Sequence, residues 1–377
     1  MSLGTIRVLI VDDSALIRAL LADLLAQYAD IEVVGKAVNG KHAVDLAREL
    51  RPHVVILDLQ MPVLDGLAAL DAILETHPVP VIVFSAASPH GAETALEALD
   101  RGAVDFLPKP SGREQIRAIA GGTLVERIRA VAWSRPSRNE TNQNAPRRHR
   151  SPKRSLEPAV RNEAVEKALA SCAIAIGIST GGPPALATLF RQLRPPQPPI
   201  FVVQHMPEPY TSSLADRLDA LTDLMVREAT SGEPVRPNRV YIAPGGHHMR
   251  VRPGEPPHVS CVDGPPVRRH KPSIDVLMGS VAEVFGPFAT GVIMTGMGQD
   301  GVEGCRAIME AGGIVFGQDA ATSVVYGMNK LAFSLGLVQE QFSVTSAGRV
   351  LHRRIQELLR GQAALVNGIQ PPLSLHR

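Results

Sequence analysis

Cysteine is scarce in this chain: Cys172, Cys261 and Cys305 are its only three among 377 residues. They lie far apart, which fits neither metal-ligand spacing nor a disulfide framework and predicts a reducing, cytoplasmic setting. Long apolar runs are also missing. No stretch approaches the roughly 20 residues that span a bilayer, and the acidic pair Asp12-Asp13 follows the first short apolar run, so neither membrane insertion nor a signal peptide is expected. Charge of one sign is in short supply as well: a formal net charge of +2 is too weak a global field to argue for nucleic acid. What the chain does have is 45% apolar against 20% charged residues, enough for the cores of a soluble protein, and a length that favours two domains and a linker.

Over residues 5–132, strand-like and helix-like segments alternate. Strand candidates are Ile6–Val11, Ile31–Lys36, His53–Leu57, Val79–Phe84 and Ala103–Leu107, with helical periodicity at Ala15–Tyr28 and Lys41–Leu50. This α/β pattern predicts a flavodoxin-like doubly wound sheet of order 2-1-3-4-5. Residues 133–168 are rich in Arg, Ser, Asn and Pro and include the run Arg147 to Arg154. Such a segment buries too little surface to offset its ordering entropy, so it reads as a flexible basic linker. A second doubly wound, mostly parallel α/β domain is expected over residues 169–362, followed by a tail, 363–377.

In the front domain, Asp12 and Asp13 end the first strand, Asp58 the third and Ser85 the fourth, while Lys109 follows the fifth. Strands one and three are neighbours in the expected order, so three carboxylates converge. They cannot all ionise side by side without a counterion, and a hard divalent cation with oxygen ligands, Mg²⁺, resolves the repulsion. Asp58 is then a nucleophile towards a phosphoryl donor, with Lys109 neutralising oxygens and Ser85 hydrogen-bonding one. The plainer alternative, carboxylates capping the following helices, suits Asp13 or Asp58 alone. It leaves Lys109 and Ser85 unexplained.

The rear domain repeats this logic with other chemistry. Ser179 follows the apolar run Ala173–Ile178, His205 follows Ile200–Gln204, and Asp300 lies beyond Thr290–Thr295. Reactive groups collect at the carboxyl ends of parallel strands. A serine needs a base, and the base an orienting acid, which predicts a hydrolase with Ser179 as nucleophile, His205 as base and Asp300 as orienter. Thr180 and Met297 are candidate backbone oxyanion donors, the latter between Gly296 and Gly298. Alternatives stay open: Ser179 as a helix cap or part of a phosphate-binding loop, Asp300 with Glu303 as a capping box, His247 or His248 as base, Asp275 as acid. Ser273 and Asp275 also read as a helix start.

The front residues resemble the receiver domain of bacterial response regulators. That resemblance implies Asp58 as phosphoacceptor, Asp12 and Asp13 as metal-binding acids, and Ser85, Phe106 and Lys109 as switch positions. The runs Gly177–Leu186, Val203–Pro207, Val240–Gly245, Pro272–Val276, Thr295–Gly301 and Gln318–Met328 resemble the chemotaxis protein-glutamate methylesterase/glutaminase family. The resemblance implies Ser179, His205 and Asp300 as its triad, with no cofactor for the hydrolase. It also implies demethylation of glutamyl methyl esters and deamidation of glutamines on methyl-accepting chemoreceptors, a sensor histidine kinase as phosphodonor, and release from partial cover by the unphosphorylated receiver. A monomer peripheral to the receptor array is expected. Ala320, Asn329 and the loop Ala86–Pro89 depart from the family pattern without touching the triad. A DNA-binding output has only the basic linker in its favour, and no helix-turn-helix pattern follows it.

Overall fold

The structure, a computed structural model, describes residues 4–109, 123–133 and 163–366. Its contacts divide the chain into two compact units, 1–147 and 148–377.

The front unit is built on five parallel strands, β1 (Ile6–Val11), β2 (Ile31–Ala37), β3 (Val54–Asp58), β4 (Val81–Ser85) and β5 (Asp105–Pro108), in the order β2-β1-β3-β4-β5. Every residue of β3 and β4 is buried, as expected of strands covered on both faces. The helices are α1 (Ala15–Leu25), α2 (Gly40–Leu50), α3 (Gly66–Thr76), α4 (Pro89–Arg101) and α5 (Leu124–Val131). Ser14, Asn39, Asp65 and Ser88 cap α1 to α4 by accepting from the N–H groups of Ile17, His42, Ala68 and Gly91. Capping therefore does not use Asp13 or Asp58. Several expected boundaries shift. β4 begins at Val81 rather than Val79 because Pro80 has no N–H for a ladder, and α1 ends at Leu25, with residues 26–28 outside the helix.

The rear unit carries β6 (Ala173–Ile178), β7 (Ile200–Gln204), β8 (Met225–Glu228), β9 (Arg239–Ile242), β12 (Ala289–Ile293), β13 (Ile314–Gln318) and β14 (Glu340–Phe342). They form one sheet of order β14-β13-β12-β6-β7-β9-β8 with every pair parallel. Strands β10 (His248–Arg252) and β11 (His258–Val262) make a separate antiparallel pair. Helices α6 (Glu163–Ala170), α7 (Gly182–Phe190), α8 (Tyr210–Asp219), α9 (Ile274–Phe285), α10 (Val302–Glu310), α11 (Met328–Ser334) and α12 (Ala347–Val366) complete it. The chain leaves β6 towards β7 on one side and returns to β12 on the other, so β6 marks a switch point. Ligands of open α/β sheets bind outside the strand ends at such a point. Two expected boundaries are corrected here: the end of the segment read as linker is helical in α6, and α12 continues to Val366 into the segment read as tail. Residues 134–162 and 367–377 lie outside the described residues.

Candidate active site

Ser179, His205 and Asp300 emerge from the carboxyl ends of three adjacent strands, β6, β7 and β12. Ladder-like bonds continue past the strand ends: Ser179 N–H donates to Thr295 O at 3.0 Å and His205 N–H to Ile178 O at 3.1 Å. Two glycines make the turns possible. Gly181 takes φ 76°, and a Cβ on Gly296 would lie 2.6 Å from Ser179 Cβ. Thr295 ties the loops together, its Oγ1 donating to Thr180 O at 2.9 Å and accepting from Val325 N–H at 3.0 Å.

His205 Nε2 donates to Asp300 Oδ2 at 2.7 Å, and both side chains are buried. Asp300 also accepts from Ile274 N–H (2.8 Å), Ser273 Oγ (2.8 Å) and Asp275 N–H (3.1 Å). The carboxylate thus sits at the N-terminus of α9, where orphan N–H groups and the helix dipole favour an anion. His205 Nδ1 is buried with no hydrogen bond among the described residues. In the chymotrypsin template the acid holds Nδ1 and the nucleophile faces Nε2; here Asp300 takes Nε2, which leaves Nδ1 as the nitrogen for a hydroxyl. The contact to Ser179 is not closed in this structure, and such bonds are commonly long before substrate binds.

The alternatives are otherwise engaged. His248 donates from Nε2 to Pro265 O and accepts at Nδ1 from Ser273 N–H. His247 Nδ1 lies 3.4 Å from Gly245 O. Asp275 accepts from the N–H groups of Gly301 and Gly304 and from Arg268 Nε, all at 2.8 Å. The capping box read from Asp300 and Glu303 is absent: Asp275, from another helix, caps α10, and Glu303 pairs with Arg306. Ser179 does not cap α7 either, whose N-cap is Gly181. Ser273 caps α9, as expected of a helix start.

In the front unit, carboxylate oxygens of Asp12, Asp13 and Asp58 lie within 4.8 Å of one another. Lys109 Nζ sits 2.5 Å from Asp58 Oδ2 and 3.1 Å from Asp12 Oδ2. Burial pushes the Asp58 carboxyl above its usual range, and Lys109 and the Gln60 N–H pull it back only in part. Burial works to lower the Lys109 ammonium, but the Asp58 and Asp12 carboxylates hold it above its ordinary value. One ammonium cannot balance three carboxylates, and an all-oxygen donor set of that charge fits a hard divalent cation. Ser85 Oγ donates to Gly91 O at 2.6 Å, Lys109 N–H donates to Ser85 O, and Phe106 is buried.

Comparison with known proteins bears on both units. The receiver domain model of response regulators matches residues 8–120, and the CheB methylesterase model matches residues 174–351. The protein-glutamate methylesterase/protein-glutamine glutaminase 1 of Dechloromonas aromatica is 40% identical over 346 residues, 91% of this chain and 96% of its own length. The chain belongs to the protein-glutamate methylesterase/protein-glutamine glutaminase family. A relative from Archaeoglobus fulgidus with that family name is 42% identical over 332 residues, 88% of this chain and 92% of its own. The crystal structure of the Thermotoga maritima CheB methylesterase catalytic domain is 34% identical and covers 49% of this chain and 98% of that one, with a TM-score of 0.47.

The Asp300 carboxylate also bears on the stability of this unit. Burial works to raise the Asp300 carboxyl, but the hydrogen bond and charge of His205, the Ile274 N–H and Ser273 bring it down to about 2. A depressed carboxylate stabilises the fold above its unfolded value of 3.8, and that contribution is lost as pH falls through about 2. The shift corresponds to about 2 kcal/mol. Urea midpoints from pH 5 to 2 are expected to fall less steeply in Asp300→Asn than in the parent; equal slopes would refute the linkage.

Sequence reasoning did not find His270, whose ring stacks on His205 with centroids 3.7 Å apart and 4° between planes. It also did not find the Ile274 and Asp275 N–H groups that bind Asp300. The start of α9 was legible from Pro272-Ser273-Ile274-Asp275; which anion it receives was not.

Proposed function

We propose that this chain is a phosphorylation-activated serine hydrolase that demethylates glutamyl methyl esters, and deamidates glutamines, on the cytoplasmic helices of chemoreceptors. The supporting observation is the buried His205–Asp300 hydrogen bond beside Ser179 at the switch point, in a chain of the methylesterase family. Ser179 Oγ attacks the ester carbonyl carbon while His205 Nδ1 takes its proton. Asp300, anionic in its cradle, holds Nε2–H and balances the imidazolium charge. The tetrahedral intermediate expels methanol, which receives the proton from His205. Water then attacks the acyl-enzyme, giving one proton to His205, which returns it to Ser179 as glutamate leaves. A glutamine side chain follows the same course and releases ammonia. The N–H groups of Ser179, Gly182 and Gly296 are committed to Thr295 O, Ser179 O and Val325 O. Thr180 and Met297, which follow Ser179 and Gly296 in the chain, are the oxyanion donors in this reading, a role worth about 3 kcal/mol of barrier.

In the receiver, Asp58 takes the phosphoryl group from a sensor kinase. Asp12, Asp13 and Asp58 would hold Mg²⁺, which when bound offsets charge on the phosphoryl oxygens. Lys109 exchanges its Asp58 contact for a phosphoryl oxygen. Ser85, released from Gly91 O, hydrogen-bonds another, and Phe106 follows as the coupled aromatic. With its end taken up by a helix from Glu163, the linker expected from the sequence is about 29 residues and reaches roughly 30 Å, which permits the receiver to cover and uncover the hydrolase. The acting form in this reading is a monomer, peripheral to the receptor array. Among the described residues no helix is long and apolar enough to cross a membrane. The three cysteines are free thiols, which supports a reducing cytoplasm. Methanol release from methylated receptor membranes, rising on addition of a small phosphodonor, is the expected result; no release under either condition would remove the assignment.

A further inference from the structure

We propose that His270 is a positioning residue of the hydrolase: its ring holds the plane of His205 and stays uncharged while His205 carries the proton. The inference rests on the catalytic reading above.

One hydrogen bond, Nε2–H to Asp300, fixes a direction for the His205 ring but leaves it free to tilt about that bond. A flat partner lying 3.7 Å away and within 4° of parallel removes the tilt. The buried Nδ1 then keeps one direction, which a base aimed at a hydroxyl requires. The stack also discriminates between charge states. A neutral ring beneath His205 tolerates, through its π face, the imidazolium that forms in the reaction. Two imidazoliums face to face would repel.

His270 is presented by a tight turn closed by reciprocal hydrogen bonds, Val267 N–H to His270 O (3.0 Å) and His270 N–H to Val267 O (2.8 Å). The two central residues, Arg268 and Arg269, take φ 47° and 70°. Primed hairpin turns of this kind ordinarily use Asn-Gly. Two arginines there carry backbone strain, and strain of this kind persists where surrounding structure over-determines it, commonly at functional sites. Arg268 is held by Asp275 at 2.8 Å and lies 3.9 Å from Glu303, and Lys271 by Asp263 at 2.7 Å. Among the described residues, charged groups near the stack include Asp300 on the His205 edge, Arg268, Arg269 and Lys271 on the strap, and Asp263, Asp275 and Glu303, which pair with the strap.

The test uses full-length phosphorylated protein, methylated receptor membranes and a fluorophosphonate that labels Ser179 without receptor. His270→Ala is expected to lower both kcat and labelling rate by about 10- to 100-fold, with little change in KM. His270→Phe keeps a flat face that cannot be protonated. It should recover most of the lost rate and leave the acid limb of the pH profile where the parent has it, because His270 takes no proton in the reaction. Parental rates in His270→Ala, equal losses in the Ala and Phe variants, or a shifted acid limb in His270→Phe would each overturn the proposal. Ser179→Ala separates the two levels. If it retains activity, the catalytic assignment fails; if it is inactive while His270→Ala is unaffected, only this inference fails.

Discussion

Ser179→Ala is expected to lower methanol release from methylated receptors by about 10⁴- to 10⁶-fold, and Asp300→Asn by about 10⁴-fold, with receptor binding retained in both. The first loss follows from removing the atom that forms the acyl bond. The second comes from hydrogen-bond polarity. Every group around the Asp300 carboxylate is a donor: His205 Nε2–H, Ser273 Oγ, Ile274 N–H and Asp275 N–H. An asparagine amide presents its own N–H₂ to one side of that cradle. Facing His205, it forces the proton onto Nδ1 and disables the base. Turned away, it confronts the Asp275 N–H and leaves a buried donor unsatisfied. The first orientation removes the tautomer that the reaction needs; the second keeps it but leaves the imidazolium without a carboxylate to balance its charge. Parental kcat in the Asp300→Asn variant would show that Asp300 merely packs the helix start, and a Ser179→Ala enzyme retaining more than a small residue of activity would move the nucleophile elsewhere.

Asp58→Asn is expected to bring the ratio of phosphodonor-stimulated to unstimulated methanol release down to about one, and to abolish acid-labile phosphoryl incorporation. Chelation of Mg²⁺ should have the same effect on the parent. Asp58 is buried, its carboxyl held up by that burial and only partly stabilised by Lys109. A phosphoryl group brings roughly −1.5 to −2 charge to this pocket, so Lys109 and Ser85 must change partners. Driving a two-state element from 1:99 to 99:1 takes about 5.5 kcal/mol, and a partial shift is the expected outcome. Continued stimulation of Asp58→Asn by the phosphodonor, with label on another residue, would reject Asp58 as the acceptor.

Much of this architecture was legible because it is local. A run such as Val54–Leu57, apolar throughout and followed by Asp58, announces a parallel strand covered on both faces. Helix starts at Ser14, Asn39 and Ser273 are readable from one side chain and the N–H three residues on. Boundaries slipped by a few residues, as at β4, where Pro80 offers no N–H to the ladder, and at α12, which continues to Val366. The mistaken alternative at Asp300 arose where a neighbour in space decided. Asp300 and Glu303 have capping-box spacing, but Asp275 reaches the α10 start from α9 and leaves Asp300 for His205.

The sequence by itself determined two α/β units, the polar residues that end their strands, and the family to which those residues point. These follow from periodicity and from what the last residue of a parallel strand can reach. Tertiary structure alone decided that Nε2 rather than Nδ1 of His205 meets Asp300, 95 residues away, that the N-terminus of α9 receives the carboxylate, and that His270 lies flat on the His205 ring. Such choices depend on strand order and on ring planes packed from distant segments, and no pattern of spacing along a chain encodes which side of a ring meets its partner.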